Sequence, residues 1–388
     1  MRSGWQVAIC VFAGGCAGRV PSPTSSPAPP TVFHAESQVI TPGGGGGERE
    51  LMSRGESALA QQKWAEAIDA FELLVAAGRI DDALARDAAR ILYDLGLAYE
   101  GAGQREKASA RYHELARRFP ATAEARAGLV RVLEVHAYLE QWPELGETSK
   151  TLLSRADIDP IDRLTALGGR GLSEVELGAD GDAMRDVQAG LDLVDELHYG
   201  AENRLPVAAA QLRFALAEIR RLRSERIVLL PVTPDFLLKI EARCQGLLDA
   251  QNTYADAIRS VDPHWAAMSG YRIGEMYRDL HRDLMLIPPT SQAKTEKQKQ
   301  LFFAMMHLRY RVLLEKGLEM MRRTLALGQR IGDDSSWLLR ARRAEADMEV
   351  ALVDEKATLA KFPYGEEELR KALDVLQKKA EASPPPTP

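Results

Sequence analysis

The most regular pattern of apolar and polar positions lies between residues 92 and 120. Apolar and small residues recur there at spacings of three and four, the period of one helix face; they are Leu92, Leu95, Gly96 and Tyr99, followed by Ala108, Tyr112 and Leu115. Gly103 lies between the two groups and favours a tight turn, and Pro120 lacks the N–H that a continuing helix needs. The pattern therefore predicts two short antiparallel helices that approach closely through Gly96 and Ala108.

The same pattern recurs on both sides of this stretch. Gly55 and Ala67 are twelve residues apart, as Gly96 and Ala108 are, and they stand among the apolar positions Leu51, Ala58, Trp64, Phe71 and Leu74. After Pro120 the pattern weakens, because residues 129–152 and 167–187 keep an apolar helical face but lose the aromatic positions. These stretches fit degenerate copies of the first pair or generic helical hairpins, and both interpretations predict helix packed on helix.

From about residue 201 the predicted helices lengthen. Prolines and glycine-containing turns separate helices over residues 205–229, 236–261, 265–286, 301–329, 337–361 and 366–379. Pro288, Pro289 and the polar run over residues 291–300 predict an exposed loop, and Asp334 or Ser335 is the candidate N-cap of the fifth of these helices. No stretch carries a strand pattern, so the predicted fold class is all-α.

The residue order between positions 92 and 120 resembles the tetratricopeptide repeat (TPR), a helix–turn–helix unit of ~34 residues. The resemblance implies a TPR-like helical-hairpin solenoid, here with longer C-terminal helices. In such arrays the first helices line a concave groove that binds an extended peptide or a helix of a partner protein. By position, it implies the groove residues Met52, Glu56, Leu59, Arg90, Tyr93, Leu97 and Glu100. Co-chaperone members clamp a terminal carboxylate with lysine and asparagine, whereas Met52 and Glu56 stand here, which argues against an acidic chaperone tail as partner.

The first sixteen residues predict a targeting segment. Arg2 precedes a short apolar run from Trp5 to Phe12, and the following Ala13-Gly14-Gly15-Cys16 resembles the lipobox of bacterial lipoproteins. The resemblance implies that Cys16 carries the lipid, and Ala17 after it implies the outer membrane, on its periplasmic face. An ordinary secretory signal or a mis-assigned start is the alternative, and with it a protein of the soluble periplasm.

Composition divides the remaining chain. Residues 17–50 contain PSPTSSPAPP and GGGGG, which bury no apolar area and predict a disordered Pro/Gly-rich tether. The predicted divisions are 1–16 for the lipoprotein signal peptide, 17–50 for the tether, 51–200 for the TPR-like array, 201–380 for the long-helix TPR-like region and 381–388 for a disordered tail. Cys244 lies on an apolar helix face, which predicts a buried structural thiol.

No motif predicts catalysis or cofactor binding. The seven histidines show no HExxH or CxxC-like spacing, so we expect surface or helix-packing histidines. The segment 180–182 lacks the ligands of a calcium loop and predicts an acidic turn, and the run Arg220, Arg221, Arg223 and Arg226 predicts a solvated helix face. The formal net charge of -6 gives no reason to expect nucleic acid. We therefore expect no enzyme activity, no metal, no cofactor and no nucleic-acid partner.

Three functions follow from these features. The favoured one is a scaffold or adaptor lipoprotein that binds other envelope proteins through the groove and contacts the membrane through its N-terminal lipid only. The C-terminal half loosely resembles TPR lipoproteins of gliding-motility complexes over residues 271–280 and 309–321, which implies motility or outer-membrane assembly. The second is a soluble periplasmic or secreted TPR chaperone or adaptor without lipid. The third is an enzyme with its site in the C-terminal helices, which needs titratable side chains clustered in one cavity.

Overall fold

The computed structural model of the protein describes residues 46–76, 87–199, 207–259, 262–289, 291, 293–331 and 335–381. Across these ranges the chain is all α-helical and contains no strand, as the sequence predicts. The helices are α1 (Gly46–Ala60), α2 (Trp64–Ala76), α3 (Ala88–Gly101), α4 (Arg105–Arg118), α5 (Ala123–Tyr138), α6 (Trp142–Leu153), α7 (Pro160–Glu176), α8 (Asp180–Glu196), α9 (Ala208–Glu225), α10 (Phe236–Arg259), α11 (Pro263–Met285), α12 (Glu296–Ile331), α13 (Ser336–Leu359) and α14 (Glu366–Glu381). The predicted signal peptide, Cys16, most of the tether, Asp334 and residues 382–388 lie outside the described ranges.

The first eight helices form four successive pairs. Each helix packs on the next, and the first helices of neighbouring pairs also contact one another, α1 with α3, α3 with α5, and α5 with α7. A helical pair cannot bury its apolar face alone, so stacking on its neighbours completes the core. This arrangement is the predicted helical-hairpin solenoid.

The pair α3/α4 shows why the sequence pattern is so regular. Gly103 has φ +73, a left-handed conformation that glycine adopts without strain, and it ends α3. Gly96 lies against the ring of Tyr112, where a Cβ atom would overlap the ring. One turn later on α3, the hydroxyl of Tyr99 donates a 2.6 Å hydrogen bond to Glu72 of α2. The glycines and tyrosines of the pattern thus fix the turn and the distance between helices.

Two helix starts differ from the prediction. The tether was expected to reach residue 50, but α1 begins at Gly46, with Glu48 in its first turn, where a negative charge favours a helix N-terminus. The polar run over residues 291–300 was expected to be a loop, but α12 begins at Glu296. Thr295 and Gln298 form a capping box there: Gln298 N–H donates to the Thr295 hydroxyl (3.3 Å), and Gln298 Oε1 accepts from Thr295 N–H (3.1 Å).

The C-terminal helices are longer, as predicted. Helices α10 to α13 have 24, 23, 36 and 24 residues, whereas α1 to α8 have 12 to 17. Helices α11, α12 and α13 pack on one another, and Trp337 is fully buried among them with its ring 5.4 Å from that of Tyr271. Helix α14 packs on α12 around Leu369. Cys244 is buried and forms no disulfide.

The chain forms two compact units that divide between Ala215 and Leu216. This division lies within α9; the boundary between residues 200 and 201, which the lengthening of the helices predicts, stays a prediction. Before the division, Leu212 packs against Gly168 and Gly190 and so contributes to the core of the first unit. No helix in the described ranges is both long enough and apolar enough to cross a bilayer.

Candidate partner-binding surface

The seven implied groove residues lie on α1 and α3, the first helices of the first two pairs. Arg90 links these helices, because its Nη2 lies 2.8 Å from Glu56 Oε1 and 3.5 Å from Met52 Sδ. The same guanidinium lies 3.5 Å from Asp87, at the start of α3. The structure therefore brings three of the predicted residues, Met52, Glu56 and Arg90, into one contact.

Asp94, one turn beyond Arg90 on α3, is a polar group that the sequence analysis missed. It is only 2% exposed, and its Oδ1 has no hydrogen-bond partner among the described residues. The Nε of Arg90 is likewise buried and unpartnered. The pKa of Asp94 is raised from 3.8 to about 7, mainly by burial; the charge of Arg90 opposes this rise, and the charges of Glu56 and Glu124 add to it. The i, i+4 spacing of Arg90 and Asp94 was the signal in the sequence that could have identified this site.

Glu100 faces α5 rather than α1. Arg131 of α5 donates a 2.9 Å hydrogen bond from Nε to Glu100, and its Nη1 lies 2.8 Å from Glu134. Burial raises the pKa of Glu100, and the charge of Arg131 opposes that rise. Arg131, which the sequence analysis did not predict, therefore belongs with the polar groups between the first helices of the second and third pairs.

Most of the implied groove residues are less accessible than an open groove requires. Exposure is below one tenth for Met52, Leu59, Arg90, Tyr93 and Leu97. The ring of Tyr93 packs 5.8 Å from that of Tyr112, and burial raises the pKa of its hydroxyl. The side chain of Glu56 keeps 41% of its surface exposed and lies at the edge of the cluster. The role of the seven residues in partner binding stays a prediction, and Glu56 is the side chain a partner reaches most easily.

Four of the described histidines lie between helices, one of the two placements that the sequence predicts, whereas His198 is exposed in the turn after α8. His113 and His136 face each other across α4 and α5 with their Nε2 atoms 3.2 Å apart, and burial lowers the pKa of both imidazoles. In the C-terminal unit, Glu355 Oε2 lies 2.7 Å from His307 Nδ1, and its Oε1 lies 3.3 Å from His281 Nε2. Burial raises the pKa of Glu355, but the hydrogen bonds of the two imidazoles outweigh it and lower that pKa to about 2.

A second buried polar cluster corrects the interpretation of the arginine run. Glu218 is fully buried and accepts hydrogen bonds from the Tyr254 hydroxyl (2.6 Å), Arg272 Nε (3.0 Å) and Arg221 Nε (3.0 Å). Arg221 is therefore not part of a solvated face, because it neutralises a buried carboxylate; Arg220, on the same helix, is exposed. Burial raises the pKa of Glu218, but the charges of Arg272 and Arg221 outweigh it and lower that pKa below 4.5.

These clusters link helices. Among the described residues, no group of three or more His, Cys, Asp and Glu side chains has the arrangement to bind a metal ion. Segment 180–182 forms the first turn of α8 rather than a calcium loop. What the surface offers chemically is a set of carboxylates and guanidinium groups between stacked helices, which suits hydrogen bonding and ion pairing with another polypeptide.

Comparison with known proteins agrees with the repeated helical pairs. The tetratricopeptide repeat family matches residues 90–122, which cover α3 and α4. A sequence search of curated proteins finds no match. Among solved structures, the chain is similar to a tetratricopeptide repeat protein from Parabacteroides merdae ATCC 43184, with 13% identity and a TM-score of 0.39 over 76% of this chain and 99% of that chain. From the family match and the repeated helical pairs, the chain is a TPR-containing all-α protein, of a fold class that typically binds other proteins and serves as a non-catalytic scaffold.

Proposed function

We propose that this protein is a scaffold of the bacterial envelope that binds an extended segment of another envelope protein between α1, α3 and α5. In this proposal, a lipid on Cys16 anchors it to the periplasmic face of the outer membrane. The partner belongs to an assembly such as a motility or outer-membrane assembly complex. The observation that carries the binding proposal is the buried, incompletely paired polar group formed by Arg90 and Asp94.

The unpaired atoms of Arg90 and Asp94 indicate which class of partner can bind them. Asp94 Oδ1 lacks a donor and Arg90 Nε lacks an acceptor within the described chain. A buried polar atom without a partner costs about 1–3 kcal/mol. Both atoms are buried, so a ligand that supplies a donor and an acceptor reaches them only when neighbouring side chains move aside, and it then recovers part of that free energy. A peptide backbone supplies both, from its N–H and C=O groups. An extended polypeptide therefore satisfies Asp94 and Arg90 together.

The charge at the edge of the cluster adds a preference. The exposed carboxylate of Glu56 and the carboxylate of Asp87 flank the bound guanidinium of Arg90. A basic side chain on the partner segment would pair with Glu56 without displacing Arg90, because a carboxylate has lone pairs for more than one donor. We therefore propose a partner segment that carries a lysine or arginine near the backbone groups that reach Asp94.

Position-specific crosslinking tests the binding surface. A photoreactive amino acid replaces Ser53 in one variant and Glu66 on α2 in a control; Ser53 is exposed and lies three residues before Glu56 on the same face of α1, so Glu56 is kept. We expect the variant at Ser53 to crosslink a defined envelope protein in intact cells, through a segment with a basic side chain. Equal crosslinking at Glu66, or none at Ser53, would contradict the proposed surface.

A separate measurement tests the anchor. The support for it is the sequence Ala13-Gly14-Gly15-Cys16, which resembles a lipobox. Mass spectrometry of the N-terminal peptide from a bacterial host should show a lipid-modified Cys16, and Cys16→Ser should release the protein into the soluble periplasmic fraction. An unmodified Cys16, with the wild-type protein in that fraction, would instead indicate the soluble adaptor and leave the crosslinking result unaffected.

A further inference from the structure

Helix α13 has two different apolar faces. One face is buried against α11 and α12 and contains Trp337, Ala341, Ala344, Met348 and Glu355. This face accounts for the packing of the helix within the C-terminal unit. A helix at the outside of a solenoid normally presents polar residues on its remaining surface.

The opposite face of α13 is an exposed apolar stripe. Its members are Leu339, Ala346, Val350, Val353 and Ala357, whose spacings of 7, 4, 3 and 4 residues follow a heptad pattern. Leu339, Val350 and Val353 are 50%, 61% and 64% exposed. At a rise of 1.5 Å per residue the stripe is about 27 Å long, so it is a continuous surface rather than a single exposed side chain.

The sign of the charged residues beside the stripe changes along its length. Arg342 and Arg343 lie before Ala346, and Asp347, Glu349 and Asp354 lie after it; all five are exposed, as is Lys356. Glu349 also pairs with Arg322 of its own chain. In an antiparallel pair related by a twofold axis, the same flank of each helix meets its own copy, and the first half of one faces the second half of the other. Antiparallel pairing therefore places unlike charges together, and parallel pairing places like charges together.

One alignment pairs three of the five stripe residues, Leu339, Ala346 and Val353, with one another and also brings unlike charges together; Val350 then lies opposite Arg342. When the twofold axis passes beside Ala346, Leu339 of one helix lies opposite Val353 of the other. Arg342 then lies within about one residue of the opposite Glu349, and Arg343 within about two residues of the opposite Asp347, which are axial offsets of about 1.5 and 3 Å. The small side chain of Ala346 at the centre lets the helices approach closely.

We propose that the outer stripe of α13 binds the same stripe of a second copy of this chain in an antiparallel homodimer. The charge pattern identifies this occupant. An anionic lipid surface favours basic residues along the whole length of a helix, whereas three of the four exposed charged residues that follow Ala346 on α13 are acidic. The stripe shares no residue with the proposed partner surface on α1, α3 and α5.

Sedimentation or light scattering of the full chain over a concentration series tests the association. We expect wild-type protein to form dimers, and Val353→Asp to raise the dimer dissociation constant at least ~30-fold, because it places a carboxylate against Leu339 of the other copy. Val228→Asp is the matched control, since Val228 is 65% exposed but lies in the loop after α9. A monomeric wild type, or equal dissociation constants for the two variants, would overturn the proposal.

Disulfide trapping tests the antiparallel geometry. Ala346→Cys should form a disulfide-linked dimer above the wild-type background, because the two copies of residue 346 face each other. Leu339→Cys should not, because its two copies lie 14 residues apart along the axis, about 21 Å. Trapping at both positions would indicate parallel pairing, and trapping at neither would exclude this contact; each result would refute the geometry.

A charge exchange provides an independent test of the pairing. Arg343→Asp alone places like charges opposite one another and should weaken the dimer. The double variant Arg343→Asp with Asp347→Arg restores unlike charges and should return the dissociation constant close to the wild-type value. Failure of the double variant to recover would show that these residues do not face each other.

Discussion

Replacement of Glu218 by glutamine removes one negative charge from the interior of the C-terminal unit and leaves the shape of the side chain almost unchanged. In the wild type this carboxylate accepts hydrogen bonds from Tyr254 on α10, Arg272 on α11 and Arg221 on its own helix. The two guanidinium side chains are only 12% and 17% exposed. Without the carboxylate, Arg221 keeps Glu225 and Arg272 keeps Glu275 as a charged partner.

The expected cost follows from what the guanidinium groups lose. Each keeps one carboxylate partner, so the relevant cost is that of a lost hydrogen bond to a charged group, about 1.5–3 kcal/mol. For units of this size, each kcal/mol lowers the melting temperature by about 2–4 °C. We therefore expect Glu218→Gln to lower the melting temperature of the C-terminal unit by roughly 3–12 °C.

Hydrogen exchange measured by mass spectrometry is the suitable assay, because the chain has two compact units and a single melting curve does not assign the loss. Peptides from α9, α10 and α11 should lose protection in Glu218→Gln, while those from α3 and α4 should not. The control is Glu319→Gln on α12, which removes an exposed ion pair with Arg323 and should cost less than about 1 kcal/mol. If the two variants lose protection equally, the reasoning from buried charge is wrong.

Three further predictions concern single residues. Gly96→Ala should destabilise the first unit by about 1–3 kcal/mol, because the new Cβ overlaps the ring of Tyr112; Gly181→Ala, with open space around it, is the control in thermal unfolding. Burial raises the pKa of Asp94 from 3.8 to about 7, so the folded state binds more protons than the unfolded state between these values, and stability falls as pH rises through them. Asp94→Asn should remove that fall and raise the free energy of unfolding at pH 8 by about 1–3 kcal/mol, measured with urea at pH 5 and pH 8. The pKa of Glu355 is lowered from 4.5 to about 2, so its contribution is present above pH 4.5 and is lost as pH falls to 2; acid titration followed by circular dichroism should show a smaller loss of stability in this range for Glu355→Gln.

The sequence predicts the helical pairs well where one residue serves local and tertiary structure together. Gly103 forms the turn after α3 whatever the helices pack against, because its positive φ favours glycine. Gly96 must be small because the ring of Tyr112 lies against it. Residues of this kind can be recognised from their spacing in the sequence before the fold is known. The prediction of α3 and α4 was therefore confirmed by their observed bounds.

The polar interior could not be predicted in the same way. Arg221 belongs to a run of arginines, and only the folded chain brings Tyr254 and Arg272, 33 and 51 residues later, onto the carboxylate that it neutralises. Asp94 appears in the sequence as an ordinary surface carboxylate, and its burial results from α1 and α5 packing on either side of α3. The spacing of apolar residues within one helix does not reveal these contacts between residues that are distant in the sequence.

The position of α9 limits how the protein can be divided experimentally. Leu212, near its start, fills the space beside Gly168 and Gly190, and Glu218, fewer than two turns later, is the centre of the buried charge cluster. A fragment that ends at residue 200 would leave an uncovered apolar surface on α7 and α8, and the complementary fragment from residue 216 would begin only two residues before Glu218. Expression of either half alone therefore requires a copy of the whole of α9 on each fragment.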